Sequence, residues 1–177
     1  MLTLILFRHA KSDWRSDNGN DRERPLAQRG IRAARTMGGF LASSGQVPQL
    51  ALTSPAVRAR NTLELAKRQG NWSCPAETHK ALYDNDADGI IKYLRGLEKL
   101  PKSLLITSHE PAMSELVSKL IGGSSRVRFP TAAMARIDLA INHWHELRAD
   151  VGELRWLVPP KVFRTSVRFE SEDSDND

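Results

Sequence analysis

Arg8 and His9 stand directly after an apolar run, Arg58 follows Ser54-Pro55 after a second such run, and His109 follows a third. Two arginines and two histidines are the inventory of a site for a phosphoryl dianion. In phosphoryl transfer the charge spreads over the equatorial oxygens, so fixed positive donors are the main catalytic resource. Arginine suits the task because its planar fork grips two oxygens and stays charged. A histidine nucleophile must be neutral at one ring nitrogen, with the other N–H held by a carbonyl or carboxylate. A second histidine, protonated against the anion, adds affinity. Taken singly, each piece has a plainer reading: a pair closing a strand, a surface helix arginine, a capping histidine. Their joint occurrence after three strands is what points to a site.

That convergence requires a parallel α/β sheet, in which the carboxyl ends of the strands gather on one edge and ligands bind there. The apolar run over 2–7 reads as a buried strand, and a polar loop follows over 11–24. A helix is expected over 28–42, with Ile31, Ala34, Met37 or Gly38, and Leu41 on one face. A strand over 50–53 runs into Ser54 as a cap and Pro55 in the first turn of a helix over 56–68, which places Arg58 in that turn. Asp86 or Asp88 opens another helix, with Ile90, Ile91, Leu94 and Leu97 as its apolar face. A strand over 103–107 precedes His109-Glu110-Pro111 and a helix bearing Met113, Leu116, Val117 and Leu120. Ala135, Ile137 and Leu139 alternate with Arg136 and Asp138 as in a half-exposed strand, and 154–158 adds a last one. The pattern is a three-layer α/β/α sandwich with a mainly parallel central sheet.

The 177 residues suffice for one domain, expected over 1–169, with an acidic disordered tail over 170–177. The tail holds five of the 21 acidic residues, so the remainder carries 26 basic against 16 acidic residues and attracts anions. A solvated basic surface is the plain reading of that charge taken alone. The lone cysteine, Cys74, excludes an internal disulfide, and no run is long and apolar enough for a membrane span. A cytoplasmic location is the expectation, with no membrane partner. Trp14, Trp72, Trp144 and Trp156 show no stacking pattern for bases, so nucleic acid is not the expected partner. His143 and His145 flank Trp144 as metal ligands could, but no third ligand stands near, and a surface role is expected.

The run Leu4-Ile5-Leu6-Phe7-Arg8-His9-Ala10 resembles the Arg-His-Gly signature of the histidine phosphatase superfamily, also called phosphoglycerate mutase-like. Ser54-Pro55-Ala56-Val57-Arg58-Ala59-Arg60-Asn61-Thr62 is similar to its second signature, and Ile106-Thr107-Ser108-His109 to the strand carrying its second histidine. Arg24-Pro25-Leu26 with Gly30, and the stretch Phe129-Pro130-Thr131-Ala132-Ala133-Met134-Ala135, also match. The opening Arg-His-Ala-Lys-Ser-Asp-Trp resembles the SixA-type phosphohistidine phosphatases. The resemblance implies a phosphoglycerate mutase-like fold with a minimal cap, and His9 as a nucleophile that becomes phosphohistidine before water hydrolyses it. It implies Arg8 and Arg58 on the phosphoryl oxygens, His109 completing the pocket, and no metal or organic cofactor. The implied partner is a phosphorylated protein or a small phosphorylated metabolite.

The chain departs from the family pattern in three places. Ala10 replaces the usual glycine, a small loss provided the backbone needs no positive φ. A phosphate-binding asparagine is missing after Trp14, where Ser12 or Arg15 is a substitute. For the general acid the sequence offers Asp84 first, Asp86 second, or none; Asp86 as a helix cap and Asp84 as a turn former are the competing readings. An alkoxide leaving group needs an acid, whereas the imidazole of a phosphohistidine departs with its own proton supply. Asp21 is placed to orient an active-site arginine or to form a loop salt bridge. The spacing of about fifty residues from Arg58 to His109 is short for the lid of a mutase and implies an open site. The alternatives are a phosphoglycerate mutase-type phosphotransferase and a non-catalytic phosphate-binding module.

Overall fold

Side chains along a strand point alternately to opposite faces, so a strand apolar on both faces belongs between two layers. Leu2–Arg8 forms that strand, β1, in a computed structural model that describes residues 1–16 and 20–164. The expected domain end at 169 and acidic tail over 170–177 lie outside the described residues. The other strands are β2 (Leu50–Thr53), β3 (Ala76–Thr78), β4 (Ser103–Ser108), β5 (Met134–Leu139) and β6 (Gly152–Val158), in the sheet order β3-β2-β4-β1-β5-β6. The first four in that order are mutually parallel; β5 is antiparallel to β1, and β6 to β5.

Helices cover both faces. Leu4 and Leu6 of β1, with Leu104 and Ile106 of β4, pack beneath α4 (Ala87–Gly96) and α5 (Ala112–Leu120). Ile5, Phe7 and Leu105 face the other way, against α1 (Gln28–Ser43) and α2 (Val57–Gly70). The expected apolar faces supply this core: Ala34, Met37 and Leu41 from α1, Ile90 and Leu94 from α4, Met113 and Leu116 from α5. The architecture is the anticipated α/β/α sandwich around a mostly parallel sheet.

Three details differ from the sequence reading. β3 and the short helix α3 (Ala81–Asp84) were not anticipated; all three β3 residues are exposed, so no apolar alternation marks it. The N-cap of α2 is Ala56, two residues later than expected, although the Ser54 hydroxyl accepts from the Ala56 N–H at 3.3 Å. Asp86, in contrast, caps α4 as one reading proposed, accepting from the Gly89 N–H at 2.9 Å. Among the described residues no helix is long and apolar enough to cross a membrane.

The α1–α2 contact is closed by Gly38: a Cβ there would lie 2.2 Å from the Ala66 carbonyl oxygen. Two backbones that close cannot admit a methyl group without shifting the helices, and forced overpacking costs about 1–3 kcal/mol. Gly38→Ala is therefore expected to lower stability by that amount, read as a lower urea midpoint with an unchanged slope.

Candidate phosphoryl site

Arg8 ends β1, and His9 leaves it at the carboxyl edge of the parallel strands. The His9 N–H donates to the Ser108 carbonyl at the end of β4, and the Ala132 N–H donates to the His9 carbonyl, so neighbouring segments fix this backbone on both sides. The Ala10 N–H donates to Thr62 Oγ1 at 2.9 Å, and that hydroxyl donates to the Arg58 carbonyl at 2.6 Å. One threonine thus ties the His9 loop to the first turn of α2. Ala10 is not among the residues with positive φ, so alanine replaces glycine there without backbone strain. Gly30 is needed as glycine, since a Cβ would sit 2.2 Å from the Lys11 carbonyl oxygen.

The protonation of His9 follows from one contact. Its Nδ1 lies 2.8 Å from the Ala10 carbonyl, which can only accept, so Nδ1 carries the proton and Nε2 keeps its lone pair. Burial pushes its pKa down to about 3; the Ala10 bond opposes the shift, while His109, Arg58 and Arg8 add to it. Across the cleft, the His109 ring lies 4.9 Å from that of His9, tilted by 51°. Its Nε2 is hydrogen-bonded to Ser54 Oγ at 2.7 Å, which is where the serine expected to cap α2 directs its hydroxyl. Burial, then Arg58, lowers the His109 pKa to about 4. Both rings are neutral at pH 7. A dianion between them would raise both values by offsetting the guanidinium charges.

The arginines are held in place by acceptors. Arg58 donates from Nη1 to the Asp21 carbonyl at 2.7 Å and from Nη2 to Asp21 Oδ2 at 2.9 Å. Asp21 Oδ1 also accepts from Arg24 Nη2 at 2.6 Å, and Tyr83 donates its hydroxyl to Oδ2 at 3.3 Å. Burial raises the Asp21 carboxyl, but Arg58 and Arg24 outweigh it and hold the group below the usual carboxylate range. Arg24 lies over the Trp14 ring, 3.6 Å from its centroid. Arg8 donates from Nη1 to the Phe129 carbonyl at 2.7 Å. Its guanidinium pKa is lowered by burial, against the attraction of Glu110.

Arg8, His9, Arg58 and His109 line one cleft of about 210 Å³ with Ser12 and Arg24. The Nε atoms of Arg8, Arg24 and Arg58, and Nδ1 of His109, are buried without a partner. Buried polar groups are normally satisfied, so four such atoms around one cleft mark a site built for a polar ligand.

Other expected residues fall elsewhere. Asp84 does not line the cleft; it ends α3, where its carboxylate pairs with Lys80 one helical turn away at 3.6 Å. Asp86 is engaged as the α4 cap. Arg15 is exposed and does not line the cleft, although its neighbour Trp14 does. Arg24, Lys11, Trp14, Glu110 and Thr131 complete the lining, and none was singled out for it from the sequence. Arg24 carried a signal, since it lies in a family-like stretch beside Asp21. Glu110 is the cleft's carboxylate, but its oxygens accept from the Ser114 N–H at 3.1 Å and hydroxyl at 2.6 Å, which tie it to the start of α5. His143 and His145 stack on each other, and no cluster suited to a metal exists among the described residues.

An α/β sandwich with two histidines and three arginines at the carboxyl edge of its parallel strands is a phosphoryl-handling enzyme in architecture. Residues 4–90 match the model of the histidine phosphatase superfamily (branch 1), and the chain belongs to that superfamily. It is 32% identical over 159 residues to an uncharacterized protein of Mycobacterium leprae, covering 84% of this chain and 96% of that one. It is 30% identical over 140 residues to the phosphohistidine phosphatase SixA of Escherichia coli, covering 78% and 86% respectively. The solved structure of the protein histidine phosphatase SixA complexed with tungstate superposes with a TM-score of 0.77 at 27% identity, over 92% of this chain and 99% of that one. Superfamily and structure together make this chain a phosphatase.

The depressed histidine values set a pH dependence. An unfolded histidine titrates near 6.5, so below that pH the unfolded chain binds more protons than the native one. Stability contributed by His9 and His109 is full above about pH 6.5 and declines toward pH 3–4, where the folded rings protonate. His9→Gln is expected to flatten that part of the stability–pH curve. Nitrogen NMR at pH 7 should find the His9 proton on Nδ1.

Proposed function

We propose that the cleft takes a phosphoryl group from substrate onto His9 Nε2 and then gives it to water. One observation carries the reading: the Ala10 carbonyl holds the proton on Nδ1, which leaves the other nitrogen as a nucleophile among three arginines. Nε2 attacks phosphorus in line; the new P–N bond forms as the bond to the leaving group breaks, and its electron pair departs with that group. Arg8 and Arg58 bind the equatorial oxygens, with Ser12 as a further donor, and His109 donates once the dianion has raised its pKa. Water then attacks the phosphohistidine, releasing phosphate and restoring neutral His9.

The substrate is a phosphohistidine on a protein, with small activated phosphate esters also accepted. Asp84 and Asp86, the acids expected from the sequence, lie outside the cleft, and its lining carboxylate, Glu110, is anchored to Ser114 at the start of α5, so among the described residues neither expected acid is placed to protonate a departing alkoxide. An imidazole leaving group needs none. Between α2 and β4 the chain inserts just β3, α3 and α4, which leaves the cleft open to a protein surface and argues against a mutase. The likeness to SixA supports the same choice. The protein works as one domain in the cytoplasm, where its free Cys74 is at home.

His9→Ala is expected to abolish both turnover and the acid-labile phosphoenzyme trapped after rapid mixing. For the native protein, kcat/KM for an alkyl phosphate should fall below that for a phosphohistidine peptide by about 10²–10⁴-fold, the usual worth of a general acid. Equal rates on the two, or isomerisation of phosphoglycerate with a bisphosphorylated primer, would contradict the assignment.

A further inference from the structure

A second groove opens beside the phosphoryl cleft and shares Lys11 and Thr131 with it. Lys11 comes from the loop after His9, Arg29 from the first turn of α1, and Lys161 from the 3-10 turn Pro160–Arg164. These three cations line the groove, and among the described residues no acidic residue does. None of their side chains has an ion-pair or hydrogen-bond partner among the described residues. Cations elsewhere do: Arg24 and Arg58 hold Asp21, Arg136 and Arg155 hold Asp138, and Lys119 holds Asp88. The groove is also where α1 begins, with no side-chain cap and no acid in its first turn, so the positive end of the helix dipole is uncompensated there. Its walls are Pro130, Pro159, Pro160 and Ala33. Proline walls are rigid and offer no N–H, and an apolar lining lowers the local dielectric, which strengthens what the cations do.

We propose that this groove is a second anion subsite. It binds a further carboxylate or phosphate that the substrate carries beside the phosphoryl group destined for His9. The inference rests on the reading of the cleft as the phosphoryl site and adds a substrate class to it: molecules with two anionic groups, spaced to reach both cleft and groove. Lys11, lining both, bridges the two charges.

Two matched pairs of substrates test this on the full chain. One pair is a diol bisphosphate against the monophosphate of the same diol. The other is a phosphohistidine peptide with acidic flanking residues against one with serine flanks. The native protein is expected to prefer the doubly anionic member of at least one pair by about tenfold in kcat/KM, through KM, with the preference shrinking in high salt. The double variant Arg29→Ser with Lys161→Ser should lose that preference and keep its rate on the singly anionic members; Lys11 is left in place because it also lines the cleft. Preference confined to the diol pair assigns a small phosphorylated metabolite, and preference confined to the peptide pair assigns an acidic polypeptide. No preference in either pair, or one that persists in the double variant, overturns the subsite. Absence of turnover with all four substrates would instead overturn the cleft reading, and the subsite with it.

Discussion

Six groups that are positive or can become so line one cleft, and their mutual repulsion is the constraint around which the site is arranged. Asp21 answers most of it. Its carboxylate takes Arg24 on one oxygen and Arg58 on the other, and its carbonyl takes a second Arg58 donor. The histidines answer the rest by remaining neutral, because burial and the same guanidiniums hold both pKa values far below the ordinary imidazole range. In the proposed reaction a dianion relieves the repulsion on arrival, which couples its binding to the readiness of His109 to donate.

The fold supplies the rigidity this requires. His9 hangs from a strand buried on both faces, and its backbone is bonded to β4 on one side and to Ala132 on the other. Thr62 links the His9 loop to the helix that carries Arg58, so the two cannot drift apart without breaking a buried hydrogen bond. Preorganised donors of this kind stabilise developing charge without reorganising during the reaction, which is where electrostatic catalysis gets its strength.

What surrounds the cleft bears on what enters it. The short crossing from α2 to β4 builds no lid, and both Glu110 oxygens are tied to Ser114. The proposed phosphohistidine substrate rests on these two features, the short crossing and the anchored Glu110. The unpaired basic groove beside it extends the positive field outward from the cleft, in keeping with the basic balance of the chain outside residues 170–177.

Much of this was legible in the residues. The apolar run before Arg8, the Ser-Pro turn before Arg58 and the strand before His109 encode the strand ends, because periodicity and turn chemistry are local properties. The same locality explains what was missed. Exposed β3 pairs only at the sheet edge and leaves no apolar pattern; Ser54 serves the turn before α2 as its local sequence suggests, but only the fold brings His109, 55 residues away, onto the same hydroxyl. Asp84 and Asp86 were candidate acids by position in the chain, yet helix geometry directs one to Lys80 and the other to a helix start. The sequence by itself determined the class of fold and the four residues from which a phosphoryl site could be built. Tertiary structure decided the depressed pKa of His9, the pairing of Asp21 with two arginines and the placing of Glu110, not Asp84 or Asp86, at the cleft, because these depend on distances between segments far apart along the chain.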